Sequence, residues 1–163
     1  MKVLLTGGSG FIGRHVLAAL QCRGIEVVTI GRRLMPESIN HFEIDLLETN
    51  NLIPFLDDVK ATHLLHLAWE AEPGKYWTSP LNIRWTEASI HLVEAFCMTG
   101  GERVVLAGTC AEYDWDYGYC SEDVTPLKPK QLYGVAKDAM RRLNVAICDQ
   151  YEIPCSYGRI FLP

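Results

Sequence analysis

Tyr133 and Lys137, in the run Tyr133-Gly134-Val135-Ala136-Lys137, are four residues apart and share one face if the segment is helical. A free phenol ionises near ~10 and is almost wholly protonated at neutral pH, so alone it is a poor base. A neighbouring ammonium stabilises phenolate and brings that value down. The pair therefore spells proton transfer at a hydroxyl or keto oxygen. With seven tyrosines in the chain, such a pair arises readily by chance, so its surroundings must decide.

A second constellation lies at the N-terminus, in Thr6-Gly7-Gly8-Ser9-Gly10-Phe11-Ile12-Gly13. Glycines 7, 10 and 13 are spaced by three between an apolar run and an amphipathic one. That spacing predicts a tight turn at Gly7, close approach of a pyrophosphate at Gly10, and helix-on-strand packing at Gly13. Gly7, Gly10, Phe11, Ile12 and Gly13 are then the candidate phosphate-binding residues, since a helix N-terminus offers free N–H donors to an anion. About 20 residues further on, an NAD site usually carries an acid for the ribose 2′-hydroxyl. Here Gly31 is followed by Arg32 and Arg33, which suits a 2′-phosphate or is a solvated pair beside a turn. NADP is favoured over NAD. Asp45-Leu46 is placed to touch the adenine, or to make an ordinary turn.

The six cysteines are scattered without a CxxC pair, which suits free thiols in a reducing cytoplasm. His63 and His66 fall on opposite faces of a strand-like run, so no metal site is expected. A charge of −5 with no Lys/Arg cluster disfavours nucleic acid and anionic membranes. No apolar stretch approaches a bilayer span, and the N-terminus does not read as a signal peptide.

These residues need a scaffold, and the hydrophobic pattern supplies one. Strands are predicted at 2–5, 26–30, 42–44, 62–67, 103–107 and 154–161. Helices are predicted from Phe11 until Gly24 closes the first, and over 51–59, 80–98 and 132–151. Alternating strands and helices over 163 residues predict one α/β domain, a doubly wound parallel sheet (Rossmann type) with helices on both faces. The stretches 70–79 and 112–131 are expected to be long binding or lid loops.

TGGSGFIG, His66-Leu67-Ala68, Thr109 and YGVAK, in that order, closely resemble the extended short-chain dehydrogenase/reductase family, specifically its NAD(P)-dependent sugar epimerase/dehydratase group. The resemblance implies Tyr133 as general acid/base, with Lys137 on the nicotinamide ribose and tuning that tyrosine. It implies that Thr109 shares the substrate oxygen, that Ala68 lines the cofactor cleft and that Asn82 supports the site as a cofactor-binding residue. It further implies an epimerase or keto-reductase acting on a nucleotide-sugar, and a homodimer through the two long helices. A cofactor-binding sensor or scaffold of the same fold is the alternative. Three departures stand out. Cys110 and Ala111 follow Thr109 where dehydratases carry acids. Leu162 replaces an Asn common in the family. The chain stops at Pro163, where members continue into a substrate domain.

Overall fold

The computed structural model describes residues 1–33, 35, 40–49 and 51–161. Among these residues six strands and four α-helices follow in the order β1 (Lys2–Thr6), α1 (Phe11–Cys22), β2 (Glu26–Gly31), β3 (Asn40–Glu43), α2 (Ile53–Val59), β4 (His63–His66), α3 (Leu81–Met98), β5 (Arg103–Thr109), α4 (Leu132–Gln150) and β6 (Cys155–Ile160). The strands form one parallel sheet in the order β3-β2-β1-β4-β5-β6. Order reverses between β1 and β4, so the loops leaving their C-terminal ends open a crevice at the switch point.

The larger core packs Leu4, Ile30, Leu64, Val104 and Leu106 of the strands against α2, α3 and α4, with Phe96, Leu92 and Met140 fully buried. Each such side chain contributes roughly 1.5–3 kcal/mol of transfer free energy. The other face carries a smaller cluster, Leu5, Leu17, Val27 and Met35, under α1. Helices on both faces were expected, but coverage is unequal. On β6, Cys155, Tyr157 and Arg159 are partly buried while Ser156, Gly158 and Ile160 are exposed.

Local chemistry sets the boundaries. Gly24 takes φ +66°, and the Gly24 and Ile25 N–H groups donate to Gln21 and Leu20 carbonyls, a Schellman end to α1. β5 runs two residues beyond the expected end because Gly108 and Thr109 still pair with β6. Thr109 thus sits on a strand end, held more firmly than a loop residue. The 112–131 excursion is not structureless. Two 3₁₀ turns (Cys110–Glu112 and Trp115–Tyr117) and a Tyr113–Leu127 bridge close it, and the Asp114 N–H donates to the Pro126 carbonyl at 2.8 Å. Leu162, whose departure from the family pattern was noted above, lies outside the described residues.

Candidate active site

The glycine loop is built around three steric demands. Gly7 has φ +71°, and a Cβ there would lie 2.7 Å from the Ala68 nitrogen. A Cβ on Gly10 would lie 3.2 Å from the Gly7 carbonyl oxygen. One on Gly13 would lie 2.1 Å from that same oxygen and 2.7 Å from Gly8 Cα, so only hydrogen lets α1 start this close to β1. The result is a cradle of bare backbone at a helix N-terminus, which fits a dinucleotide pyrophosphate.

A buried polar relay ties the crevice together. The Thr6 hydroxyl oxygen accepts the Leu67 and Ala68 N–H groups (3.2 and 3.1 Å), and it contacts His66 Nδ1 at 2.6 Å. His66 Nε2 contacts Ser89 Oγ at 2.8 Å, and the Ser89 hydroxyl donates to the Trp85 carbonyl. Donor accounting then fixes the protons: Ser89 accepts from Nε2–H, and Thr6 donates to Nδ1. Burial, followed by the Lys137 charge, brings His66 down to about 3, so it stays neutral. His66 holds β1, β4 and α3 in place as a structural residue.

Two cavities flank the glycine loop. The smaller, 170 Å³, lies at the β2 and β3 ends and is lined by Arg32, Asp45, Leu46 and Ala68 together with Gly7 and Gly10. Arg32 is exposed there, and Arg33 is not among the lining residues. Asp45 both lines the cavity and makes a turn, its carboxylate accepting the Leu47 N–H at 2.9 Å. The larger cavity, 340 Å³, brings Gly7, Gly10, Phe11, Ile12 and Gly13 against Thr109, Tyr133 and Lys137. Residues from opposite ends of the sequence thus share one chamber.

Within it, Lys137 is buried and its ammonium donates to the Ala107 carbonyl at 2.6 Å. That ammonium lies 4.2 Å from the Trp69 ring centre. Burial pushes it down to about 7, with the Glu112 carboxylate pulling the other way. Burial raises the Tyr133 phenol, and a hydrogen bond from Thr109 offsets part of that rise. Three rings, Trp69, Tyr76 and Trp77, meet the Tyr133 ring edge to face at 4.7–6.4 Å. The Tyr133 N–H donates to the Trp77 carbonyl at 3.1 Å, which docks the 70–79 loop on the start of α4.

Asn82 differs from the expected cofactor contact. It is fully buried and lines neither cavity. Its oxygen accepts the Trp69 indole N–H at 2.9 Å, and its amide donates to the Tyr76 and Ser79 carbonyls. It sets the aromatic wall, because the loop folds back over the helix start.

Glu112 has no counterpart among the residues marked by motif. It is fully buried, and its carboxylate accepts the Thr109 N–H at 2.9 Å, the Tyr157 hydroxyl at 2.6 Å and Arg159 Nε at 2.9 Å. The spacing Thr109-x-x-Glu112 is a capping-box signature that could have marked it. Among the described residues, no group of three or more His, Cys, Asp or Glu is placed to hold a metal. Nor is any helix there long and apolar enough to cross a membrane.

Residues 3–163 match the family described as NAD dependent epimerase/dehydratase. UDP-glucose 4-epimerase of Azospirillum brasilense is 31% identical over 144 residues, 83% of this chain and 41% of that protein. Among solved structures, MoeE5 in complex with UDP-glucose and NAD is 34% identical with a TM-score of 0.76, covering 98% of this chain and 53% of that one. The Thermus thermophilus UDP-glucose 4-epimerase, in complex with NAD, has a TM-score of 0.82 at 24% identity over 98% of this chain and 54% of that one, a likeness of fold. The chain spans about half the length of the relatives it matches. With its doubly wound sheet, glycine cradle and Thr-Tyr-Lys chamber, the chain belongs to the NAD dependent epimerase/dehydratase family.

Proposed function

We propose that residues 1–163 are the dinucleotide-binding and catalytic half of an NAD(P)-dependent epimerase or keto-reductase acting on a nucleotide-sugar, whose substrate domain follows this segment. The observation that carries this reading is the single chamber shared by the glycine loop and Thr109, Tyr133 and Lys137. Relatives named as UDP-sugar enzymes, one solved with UDP-glucose and NAD, support the substrate class.

A bound nicotinamide would supply hydride transfer to or from a sugar carbon. The chain's own part is the coupled proton. Tyr133 Oη gives it to, or takes it from, the substrate oxygen as general acid/base. The Thr109 hydroxyl steadies that oxygen. Lys137, buried beside them, holds the nicotinamide ribose and lowers the cost of phenolate. Gly7, Gly10, Phe11, Ile12 and Gly13 cradle the pyrophosphate, while Asp45, Leu46 and Ala68 bound the adenosine end. Arg32 at that end supports NADP over NAD. Exposed Ile83, Val135 and Leu143 on α3 and α4 support a homodimer through these helices. Free cysteines support a cytoplasmic setting.

The test is nicotinamide turnover by the full-length protein over a panel of nucleotide-sugars. Tyr133→Phe is expected to lower kcat by roughly 10²–10⁴ while dinucleotide affinity is kept. Turnover that survives this change rules out Tyr133 as the acid/base. Arg32→Ala should weaken NADPH at least about tenfold and leave NADH alone; an unchanged NADPH affinity would rule out Arg32 as the 2′-phosphate partner.

A further inference from the structure

Resting on the reading above, we infer that Glu112 is a positioning residue for the proton-transfer site: its buried carboxylate fixes the strand end that carries Thr109 and thereby aims the Thr109 hydroxyl at Tyr133 and the substrate oxygen.

The box between these two residues is reciprocal. Thr109 Oγ1 accepts the Ala111 N–H at 3.2 Å, and Glu112 Oε1 accepts the Thr109 N–H at 2.9 Å. With a lone pair of Oγ1 engaged by the backbone, the hydroxyl proton is the part of Thr109 left to point outward. Thr109 and Tyr133 line the same chamber, so that proton is available to the Tyr133 phenol or to a substrate oxygen there. The capping box thus makes Thr109 a directed donor, and that direction depends on Glu112 holding its N–H.

Glu112 is itself anchored from two other elements of structure. Tyr157 and Arg159 reach it from β6, at 2.6 and 2.9 Å. Arg141, one turn beyond Lys137 on α4, brings Nε to 3.9 Å. Tyr157 Oη also lies 3.3 Å from the Lys137 carbonyl, so the network abuts the helical turn that carries Tyr133 and Lys137. Glycine makes room for it. A Cβ on Gly108 would lie 2.2 Å from the Tyr157 ring, and one on Gly134 would lie 2.5 Å from the Ala111 carbonyl oxygen. These contacts draw β5, β6 and α4 together around one carboxylate.

Stability alone is a poor account of this arrangement. Dehydrating a carboxylate and two guanidiniums costs about what their attraction returns, and well-packed apolar residues often serve as well. An apolar replacement could fill the volume, but it could not hold the Thr109 N–H. Nor does Glu112 line the catalytic chamber, so it acts through Thr109 and not on the substrate.

A double-mutant cycle in the full-length protein separates this role from a general one. Glu112→Asp keeps the charge and retracts it by one methylene, beyond reach of the Thr109 N–H. It is expected to lower kcat at least tenfold, with the nucleotide-sugar KM and dinucleotide affinity within threefold. In a Thr109→Ala background the same change should cost less than threefold, because the group it positions is already gone. Independent, multiplying losses in the two backgrounds would overturn the inference, as would wild-type kcat in Glu112→Asp. If that variant does not fold, Glu112→Met with Arg159→Met removes the acceptor and both charges together and is run through the same cycle, with the same two outcomes deciding. A wild-type protein that turns over no nucleotide-sugar overturns the proposed function and this inference with it; turnover with multiplying losses overturns the inference alone.

Discussion

Lys137 makes the fold less stable than it could be, and the size of that penalty can be worked out. An ammonium that ionises at 10.5 in the unfolded chain does so at about 7 in the fold, burial being the main cause. Well below pH 7 that difference costs the fold ~5 kcal/mol relative to a neutral amine. The sign follows from proton counts. Between pH 7 and 10.5 the unfolded chain binds more protons at this site than the folded one, so stability rises with pH across that window. From pH 7 to pH 9 this single group should add about 2 kcal/mol, or roughly 4–8 °C in Tm for a domain of this size. Lys137→Met removes the titration and keeps an unbranched apolar stem. Its stability should exceed the wild type's near pH 6 and lose this part of the pH dependence, while dinucleotide binding falls. Urea unfolding of both proteins at pH 6, 7, 8 and 9 measures this. Other groups that titrate in the window in the unfolded chain, such as the thiols of Cys148 and Cys155 that the fold pushes up out of it, are common to both and cancel in the difference. If the two proteins gain stability in parallel from pH 7 to 9, Lys137 is not a dehydrated ammonium and the reasoning fails.

Two further outcomes test the scaffold around it. Gly13→Ala places a methyl 2.1 Å from the Gly7 carbonyl oxygen, a backbone atom that cannot swing aside. The variant should lose ~1–3 kcal/mol in thermal unfolding and at least tenfold in dinucleotide affinity, whereas undiminished affinity would show that α1 starts elsewhere in solution. His66 ionises at about 3 in the fold against 6.5 in the unfolded chain, so stability is intact above pH 6.5 and is lost as pH falls toward 3. About 2 kcal/mol should disappear between pH 7 and 5, and His66→Gln should flatten that decline in a denaturant series at the two pH values.

Elements whose signal is local were legible in the sequence. β1 is a short apolar run buried on both faces, β4 buries Leu64 and His66 but leaves His63 and Leu65 half-buried, and Gly24 ends α1 by the left-handed conformation its type permits. The glycine loop and the Tyr133/Lys137 pair likewise carry their geometry in their spacing. Where the expectations fell short, the cause lies in long-range contacts. Asn82 is at the expected position, but its side chain is claimed by Trp69 and the loop it anchors. Glu112 sits in an acidic, aromatic stretch that reads as a solvated loop, and its partners Tyr157 and Arg159 lie 45 and 47 residues downstream. The capping-box spacing from Thr109 could mark Glu112 as a local cap, but not as a buried carboxylate, because its neutralising guanidiniums arrive from other elements.

Three of the buried titratable groups at this end of the sheet have different solutions to dehydration. His66 is neutral, with both nitrogens engaged by hydroxyls. Glu112 stays paired, with Arg159 against it and Arg141 nearby. Lys137 has neither solution in full. Its ammonium has three protons to give, of which one goes to the Ala107 carbonyl while the Trp69 ring covers a further side. A group selected for stability alone would be apolar here. In the proposed role Lys137 donates to a ribose oxygen, which requires it to retain donor capacity while buried and so to carry a desolvation cost. On that proposal, dinucleotide binding should relieve the cost at Lys137, the least comfortable of the three groups and one that lines the chamber with the glycine cradle.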